Sequence, residues 1–284
     1  MSAKSNIEWT GASWNPMRGC NRVGKDCDNC YMMTDAHRFE GVPGHPFELG
    51  AVFRLVPENL PLPLKWTKPN RIFVNSMSDF FHPKAPVDYL RDCCRVMVEA
   101  PWHAYQVLTK RSERMRELLN GELRFAAQAD HIWWGVSAGL REGLPRIEDL
   151  RESPAKNRFL SLEPLLEDLG EINLEGISWV ITGGESGPRA REVRLAWVTS
   201  IRDQCQAAGV PLFFKQWGGR RKWLTGHILD GRTYRDFPTE IRGPVKNKAE
   251  RMAVIGEMEA KYGLTDTAKS LIGRKANRTN HKTK

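Results

Sequence analysis

Arg71-Ile-Phe-Val-Asn-Ser-Met-Ser-Asp79 is the stretch that decides the fold. A short apolar run, β-branched at Ile72 and Val74, breaks at once into Asn, Ser and Asp, as a buried strand does at its end. Val87 to Glu99 then carries apolar residues at Val87, Leu90, Cys94 and Met97, the stripe of a helix. The unit recurs. Ala104-Tyr-Gln-Val-Leu108 predicts a strand, and Ser112 to Leu119 a helix with Ser112 as N-cap and Glu113 in its first turn. His131 to Val136, Arg158 to Leu162, Ile177 to Ile181 and Val210 to Phe214 read as further strands, with a helix from Leu195 to Ala208 that Gly209 ends. Ile7 to Trp14 supplies a first strand. Near-continuous apolar strands alternating with helices form a parallel sheet. Six or seven such units in about 220 residues predict an α/β fold, a partial or complete TIM-type (β/α) barrel. An open doubly wound sheet is the alternative, but it would want a Gly-rich phosphate turn after an early strand, and none is present.

The composition agrees with a globular chain. Of 284 residues 40% are apolar and 27% charged, with a mean hydropathy of −0.50. No apolar run approaches the roughly 18 residues of a membrane span. Met1 to Trp9 has no signal-peptide core, so the expected location is cytoplasmic. Membrane, secreted, collagenous and largely disordered classes are set aside. The net charge of +9 is uneven: eleven basic and four acidic residues fall between Ile241 and Lys284, and Lys269 to Lys284 holds six basic residues and no acid. We therefore divide the chain into a barrel over 1–240 and a basic, partly disordered C-terminal extension over 241–284, with only a weak helical stripe from Met252 to Tyr262. Asp230-Gly231, within Leu224 to Pro238, suits a short hairpin appended to the barrel. The tail is either a footprint for nucleic acid or a solvated end.

In a (β/α) barrel, function sits where strands end. The residues just past each strand are polar: Asn75, Ser76, Ser78 and Asp79; Thr109, Lys110 and Arg111; Ser137; Ser161 and Glu163; Gly183, Gly184, Glu185 and Ser186; Lys215, Gln216 and Trp217. Any one of these could be a mere strand terminator. Every strand ending this way argues for one polar mouth.

Cys20-x6-Cys27-x2-Cys30 follows the first strand in a loop rich in Gly, Asn and Asp. Three thiolates from one loop suit a soft metal site, either an iron–sulfur cluster or zinc. A structural zinc would want a fourth ligand, for which His37 is nearest. A cluster held by three cysteines leaves one iron open, as catalysis requires. Unliganded cysteines are the third reading. Cys93, Cys94 and Cys205 lie in helices, and nothing suggests a disulfide framework.

Cys20-x6-Cys27-x2-Cys30-Tyr31 on a barrel resembles the cluster loop of radical SAM enzymes, with a non-standard spacing in place of Cys-x3-Cys-x2-Cys. The chain as a whole resembles the phage Gp37/Gp68 (DUF5131) family in Ile7-Glu-Trp-Thr-Gly-Ala-Ser-Trp-Asn-Pro16, the cysteine loop, Phe73 to His82, Leu108 to Arg111, Gly183 to Gly187 and Phe213 to Gly218. The radical SAM likeness implies a [4Fe–4S] cluster on Cys20, Cys27 and Cys30, S-adenosylmethionine completing the fourth iron, and an external electron donor. It also implies cofactor contacts from Tyr31, Asn75, Ser76, Ser78, Asp79, Lys110, Ser137, Glu163, Gly183, Gly184 and Glu185. Two departures stand out. The position before the third cysteine, usually aromatic, is Asn29, and Gly183-Gly184-Glu185 follows a late strand rather than the second.

Asp79 or a Ser hydroxyl is expected to accept from the methionyl ammonium. Lys110 and Arg111 suit a carboxylate or phosphate. Glu163 suits ribose hydroxyls, and the two glycines allow close backbone approach to a ligand. Lys215, directly after Pro211-Leu-Phe-Phe214, should be partly desolvated unless paired. With Gln216 it forms the expected catalytic, substrate-facing pair, and Trp217 offers a stacking face. Trp133, Trp134 and Trp179 are expected in the core, whereas Trp9, Trp14, Trp66 and Trp217 could stack on bases. These features favour a radical SAM-like enzyme acting on a nucleic acid or nucleotide, in modification or repair, with room for a protein partner. The alternative is a zinc-stabilised nucleic-acid-binding protein without catalysis. A zinc hydrolase fits poorly, because the seven His form no ligand pair.

Overall fold

The computed structural model describes residues 5–264. Seven strands form one sheet: β1 (Ala12–Trp14), β2 (Arg71–Val74), β3 (Ala104–Thr109), β4 (Ile132–Ser137), β5 (Asn157–Leu162), β6 (Trp179–Thr182) and β7 (Leu212–Phe214). Every pairing is parallel, and the strands lie side by side in chain order. A doubly wound sheet would need the order to reverse, and it does not. With right-handed crossovers and no reversal, the helices collect on one face and the sheet curls around the other. β1 and β7 do not pair, so the fold is a partial (β/α) barrel.

The two faces have separate cores. On the convex face Ile72, Val74, Tyr105, Val107, Trp134, Val136, Leu160, Val180 and Phe214 pack with buried residues of α2 (Val87–Glu99), α3 (Ser112–Asn120), α4 (Pro145–Glu152) and α5 (Leu195–Ala208). The alternate residues of the same strands, Phe73, Trp133, Phe159, Trp179, Ile181 and Phe213, join Trp9 in a cluster with no helical member. This is the period-2 pleat of a strand. Gly135 takes the inward position between Trp133 and Ser137 because a Cβ there would lie 2.4 Å from the Phe159 ring.

Two helices and the left-handed Gly209 that closes α5 stand as the sequence predicts. Elsewhere the structure differs. Only Ala12–Trp14 of the first expected strand is extended in the sheet; Trp9 ends a turn and drops into the concave face. The N-cap of α3 is Arg111, and Ser112 spends its hydroxyl on Asp149, 2.6 Å away. Helices α1 (Tyr31–Phe39) and α4, of nine and eight residues, are additions to the elements expected from sequence.

Beyond β7 the chain makes a turn at Asp230-Gly231, both with positive φ, between the bridged Leu229 and Arg232. It then runs back along β7, Phe214 N–H donating to Tyr234 O and Asp236 N–H to Leu212 O, so the sheet edge is covered. Within the basic extension, α6 (Lys248–Lys261) opens with an Asn247/Glu250 capping box. It buries Val254, Ile255 and Met258 against the outer helices, and Lys261 and Tyr262 both reach Asp92 of α2. Lys269 to Lys284 lies outside the described residues.

Candidate active site

The pleat that points Phe73, Trp133, Phe159 and Phe213 into the concave face points the next inward residues there too: Asn75, Ser137, Ser161, then Glu163, and Lys215. All five line a cavity of about 450 Å³ above the aromatic cluster, at the C-terminal end of the sheet. Its opposite wall is the long β1–β2 connection, with Cys20, Cys27, Cys30 and Tyr31. Tyr31 donates its hydroxyl to Ser76 O, tying α1 to the end of β2.

The six cysteines are free thiols, and three of them stand on this one wall. Cys30 is the N-cap residue of α1 and makes no side-chain capping bond. Cys20 lies 3.7 Å from Arg111 Nη1. Burial, then the Asp79 carboxylate, pushes the Cys20 thiol up, with Arg111 opposing both. A metal would displace that proton. Among the described residues no three Cys, His, Asp or Glu side chains surround a single point closely enough to hold an ion. The donor set nonetheless fits a soft centre with an open position. His37, the candidate fourth zinc ligand, is exposed on α1 and does not line the cavity.

The acids of the wall are already engaged. Asp26, between the first two cysteines, is 3.0 Å from Arg146 Nη1 and 3.7 Å from Lys110 Nζ. Asp79 accepts four hydrogen bonds, from Thr109 Oγ1, the N–H groups of Phe81 and Lys110, and Arg111 Nη1. It cannot also take an ammonium without giving one up. Glu163 pairs with Lys215 at 2.6 Å, which supplies the partner that a lysine so placed requires. Glu185 is gripped by Arg191 through two side-chain contacts and its N–H, and accepts from Asn29 at 2.8 Å. Burial works against charge on Glu185, but these bonds outweigh it and hold the carboxyl below its ordinary value. Arg191 also donates to Lys25 O, so the Gly183-Gly184-Glu185 loop braces the cysteine loop.

Two lining residues bury polar atoms that have no partner among the described residues, Trp9 through Nε1 and Asn75 through its whole amide. Asn75 is 2% exposed in a left-handed conformation, φ 59°, and among the described residues neither Oδ1 nor Nδ2 has a partner. A buried amide beside a cavity with its hydrogen bonds unmade is a candidate ligand contact.

A family model described as "Protein of unknown function (DUF5131)" matches residues 4–238. The chain belongs to this family. Among curated proteins none matches it. Of solved structures, "Spore photoproduct lyase complexed with dinucleoside spore photoproduct" is similar with a TM-score of 0.46 and 11% identity, over 72% of this chain and 63% of that one. A mutant of the same lyase "with bound AdoMet and dinucleoside spore photoproduct" scores 0.44 at 11% identity, over the same shares. The DUF5131 chain thus spans less than two thirds of those structures, and the likeness concerns the fold alone.

Several expected site residues of this DUF5131 protein either lie away from the cavity or line it with their polar groups already bonded within the protein. Gln216 is buried behind the wall, its amide nitrogen directed at Gly184 O and Ser186 Oγ and its Oε1 without a partner among the described residues. Gly183 and Gly184 do not line the cavity. A Cβ on Gly184 would stand 2.1 Å from Trp217 O, so their smallness serves the approach of one chain segment to another. Ser76, Ser78 and Ser137 spend their hydroxyls on Asn15, Gly19 O and Glu163 O. Trp14 and Trp217 donate to Asn59 O and Ile228 O, and Trp66 packs on the convex core, so none presents a free ring to the cavity. Of the four, Trp9 alone lines it. Asp26 and Asn29, which line the cavity, and Arg146 and Arg191, which bind and brace it from behind, are candidate site residues that sequence reading missed. Asp26 and Arg146 are separated by 120 positions, and no local pattern links them.

Proposed function

We propose that this protein is a radical SAM-like enzyme holding a [4Fe–4S] cluster on Cys20, Cys27 and Cys30, with S-adenosylmethionine beside it. The observation that carries this reading is a wall of three free thiols facing a cavity whose acids below the rim, Asp26, Asp79, Glu163 and Glu185, are all bound to cations or donors. Among the described residues none of these four carboxylates is left over to close a zinc tetrahedron, whereas an open fourth position suits a small-molecule ligand. When bound, the cluster and S-adenosylmethionine supply reductive cleavage to methionine and a 5′-deoxyadenosyl radical, with the electron from an external donor.

The chain's own residues bind and orient. Asn75 offers a donor and an acceptor to a bound amine, carboxylate or base. Lys110, only 22% exposed in its side chain, supplies a cation at the wall for a carboxylate or phosphate. Tyr31 lines the cavity with the cysteines, its hydroxyl tied to Ser76 O. Asp79 positions Arg111 beside Cys20, and Glu185 positions the cysteine loop through Asn29. Ser76, Ser78 and Ser137 line the mouth with their hydroxyls held by the protein, and Gly183, Gly184 and Gln216 shape it from behind. Lys215, held by Glu163, is the side chain best placed to meet substrate and to give or take a proton. The water-excluding floor is the aromatic cluster under these groups.

The substrate class we favour is a nucleic acid or nucleotide, from the cations of the mouth and the net charge of +9. No described helix is long and apolar enough to cross a membrane. Free thiols suit a reducing cytoplasm. The test is the iron, sulfide and zinc content of anaerobically purified protein, wild type and each of Cys20→Ala, Cys27→Ala and Cys30→Ala. Near-stoichiometric iron and sulfide, lost from every variant, is expected. One zinc without sulfide, or iron retained in all three variants, would overturn the reading.

A further inference from the structure

The loop after β7, Gly218-Gly-Arg-Arg-Lys-Trp-Leu-Thr-Gly226, breaks the usual rule for surfaces. Trp223 is 73% exposed and Leu224 70%, side by side, in a chain whose other described tryptophans are buried or partly buried. A large aromatic left in water forgoes its burial energy and calls for a partner. Arg220 and Arg221 precede it and are exposed, and among the described residues neither forms an ion pair, although most arginines of this chain are matched to acids or carbonyls.

The loop is also fixed in place beside the mouth. Its ends are pinned together where Trp217 N–H donates to Gly226 O at 3.0 Å, and Thr225 Oγ1 donates to Gly218 O at 2.6 Å. Its second residue, Gly219, bridges to Ser186, with Gly219 N–H donating to Glu185 O at 2.8 Å. Glu185 and Ser186 line the cavity. Arg189, exposed and three residues past Ser186, adds a third cation to this edge. Two arginines, an exposed indole and a leucine therefore form a basic, apolar lip continuous with the wall of the candidate active site.

We propose that this lip, built on Arg220, Arg221 and Trp223, docks single-stranded nucleic acid beside the cavity. The guanidinium groups take backbone phosphates, and the Trp223 ring stacks on a base flanking the one presented to the mouth. The inference rests on the functional reading above for what the mouth does, and names how its substrate is held. A strand suits the lip better than a duplex because an indole needs an unstacked base face, which paired bases do not offer. A lone nucleotide would fill the cavity without reaching the lip.

The test is fluorescence anisotropy of the full-length protein with a labelled oligothymidylate and a labelled oligouridylate of about 20 nucleotides, and with a duplex of equal length, over a series of salt concentrations. Trp223→Ala is expected to weaken strand binding about tenfold at unchanged salt slope, with Trp223→Phe restoring most of it. Arg220→Ala combined with Arg221→Ala should lower the log–log salt slope by about 1.4, two phosphate contacts on a single strand. Loss on either strand supports the lip and tells which sugar it accepts. Wild-type affinity and slope in both variants would overturn it, and an equal loss on the duplex would overturn the single-strand assignment. The side chains are exposed, and unchanged melting temperatures establish that the variants fold. The binding needs no cluster. Lip variants that lose affinity in a protein without iron would thus overturn the reading of the cavity and leave the lip standing, while unchanged binding in an iron-replete protein would do the reverse.

Discussion

The floor and the mouth of the concave face are made by the same strands, two to four residues apart, and are held together by different forces. On the floor Trp9 packs on Phe73 at 4.7 Å, Phe159 on Trp179 at 5.9 Å and Trp179 edge-on to Phe213 at 6.3 Å between ring centres. Burying each such ring contributes about 1.5–3 kcal/mol, and the layer leaves no room for a ligand. At the mouth the inward residues become Asn75, Ser137, Glu163 and Lys215, and cohesion passes to ion pairs and hydrogen bonds that surround a space. The difference teaches where stability and chemistry are stored. Packing builds the floor, and the mouth can stay open because the floor beneath it is closed.

Three substitutions or titrations test that division, beginning with the largest effect. Phe159→Ala leaves a hole among Trp133, Trp179 and the backbone at Gly135, and should destabilise by about 3–5 kcal/mol while iron content per folded molecule is unchanged. Urea unfolding read beside metal analysis checks this, and iron lost in step with stability would erase the distinction. Glu163→Gln strands Lys215 at the mouth, where both side chains are less than one fifth exposed. A loss of about 1.5–3 kcal/mol is expected, smaller than that on the floor, and partly recovered in Glu163→Gln combined with Lys215→Met. No recovery in that pair would mean that each residue acts alone.

Acid titration gives the smallest effects and separates two groups around the mouth. His82 is stacked on Phe53 and bonded to Asn21, beside the cysteine loop. Burial, then the nearby Arg111 charge, lowers its pKa to about 4 from an ordinary 6.5. The unfolded chain therefore binds a proton that the folded one refuses, and the stability present above pH 6.5 is lost as pH falls towards 4. Glu185 is a carboxyl held below its ordinary 4.5, so its contribution persists above that value and fades only as pH falls further, through the lowered folded value. Melting temperature against pH should show both declines, with the more acidic one flattened in Glu185→Gln. An unaltered profile in that variant would sever the brace between Glu185 and the cysteine loop.

Legibility followed the range of the forces. The strands, helices α2 and α5, the left-handed Gly209 and the polar strand ends could be read because apolar periodicity and terminator residues act over a few positions. So could the core positions of Trp133, Trp134 and Trp179, which the strands bury. The partners could not. Whether Lys215 meets Glu163, whether Asp79 is saturated by Arg111 and Thr109, and whether Asn29 is used by Glu185 depend on residues 30 to 156 positions away. Trp9 was expected at the mouth and is 3% exposed, in the floor yet touching the cavity, because the turn before β1 carries it over the sheet end.

By itself the sequence determined an α/β chain of parallel strands, a three-cysteine loop after the first, and a polar rim, since each is a local pattern of residue types. Only the tertiary structure decided that the barrel is partial, that three thiols share a cavity with Asn75 unpartnered, and that Gln216 and the glycine pair serve packing instead of the cavity. Pleat parity sets which face a side chain enters, but what it meets there is fixed by strands and loops arriving from elsewhere in the chain.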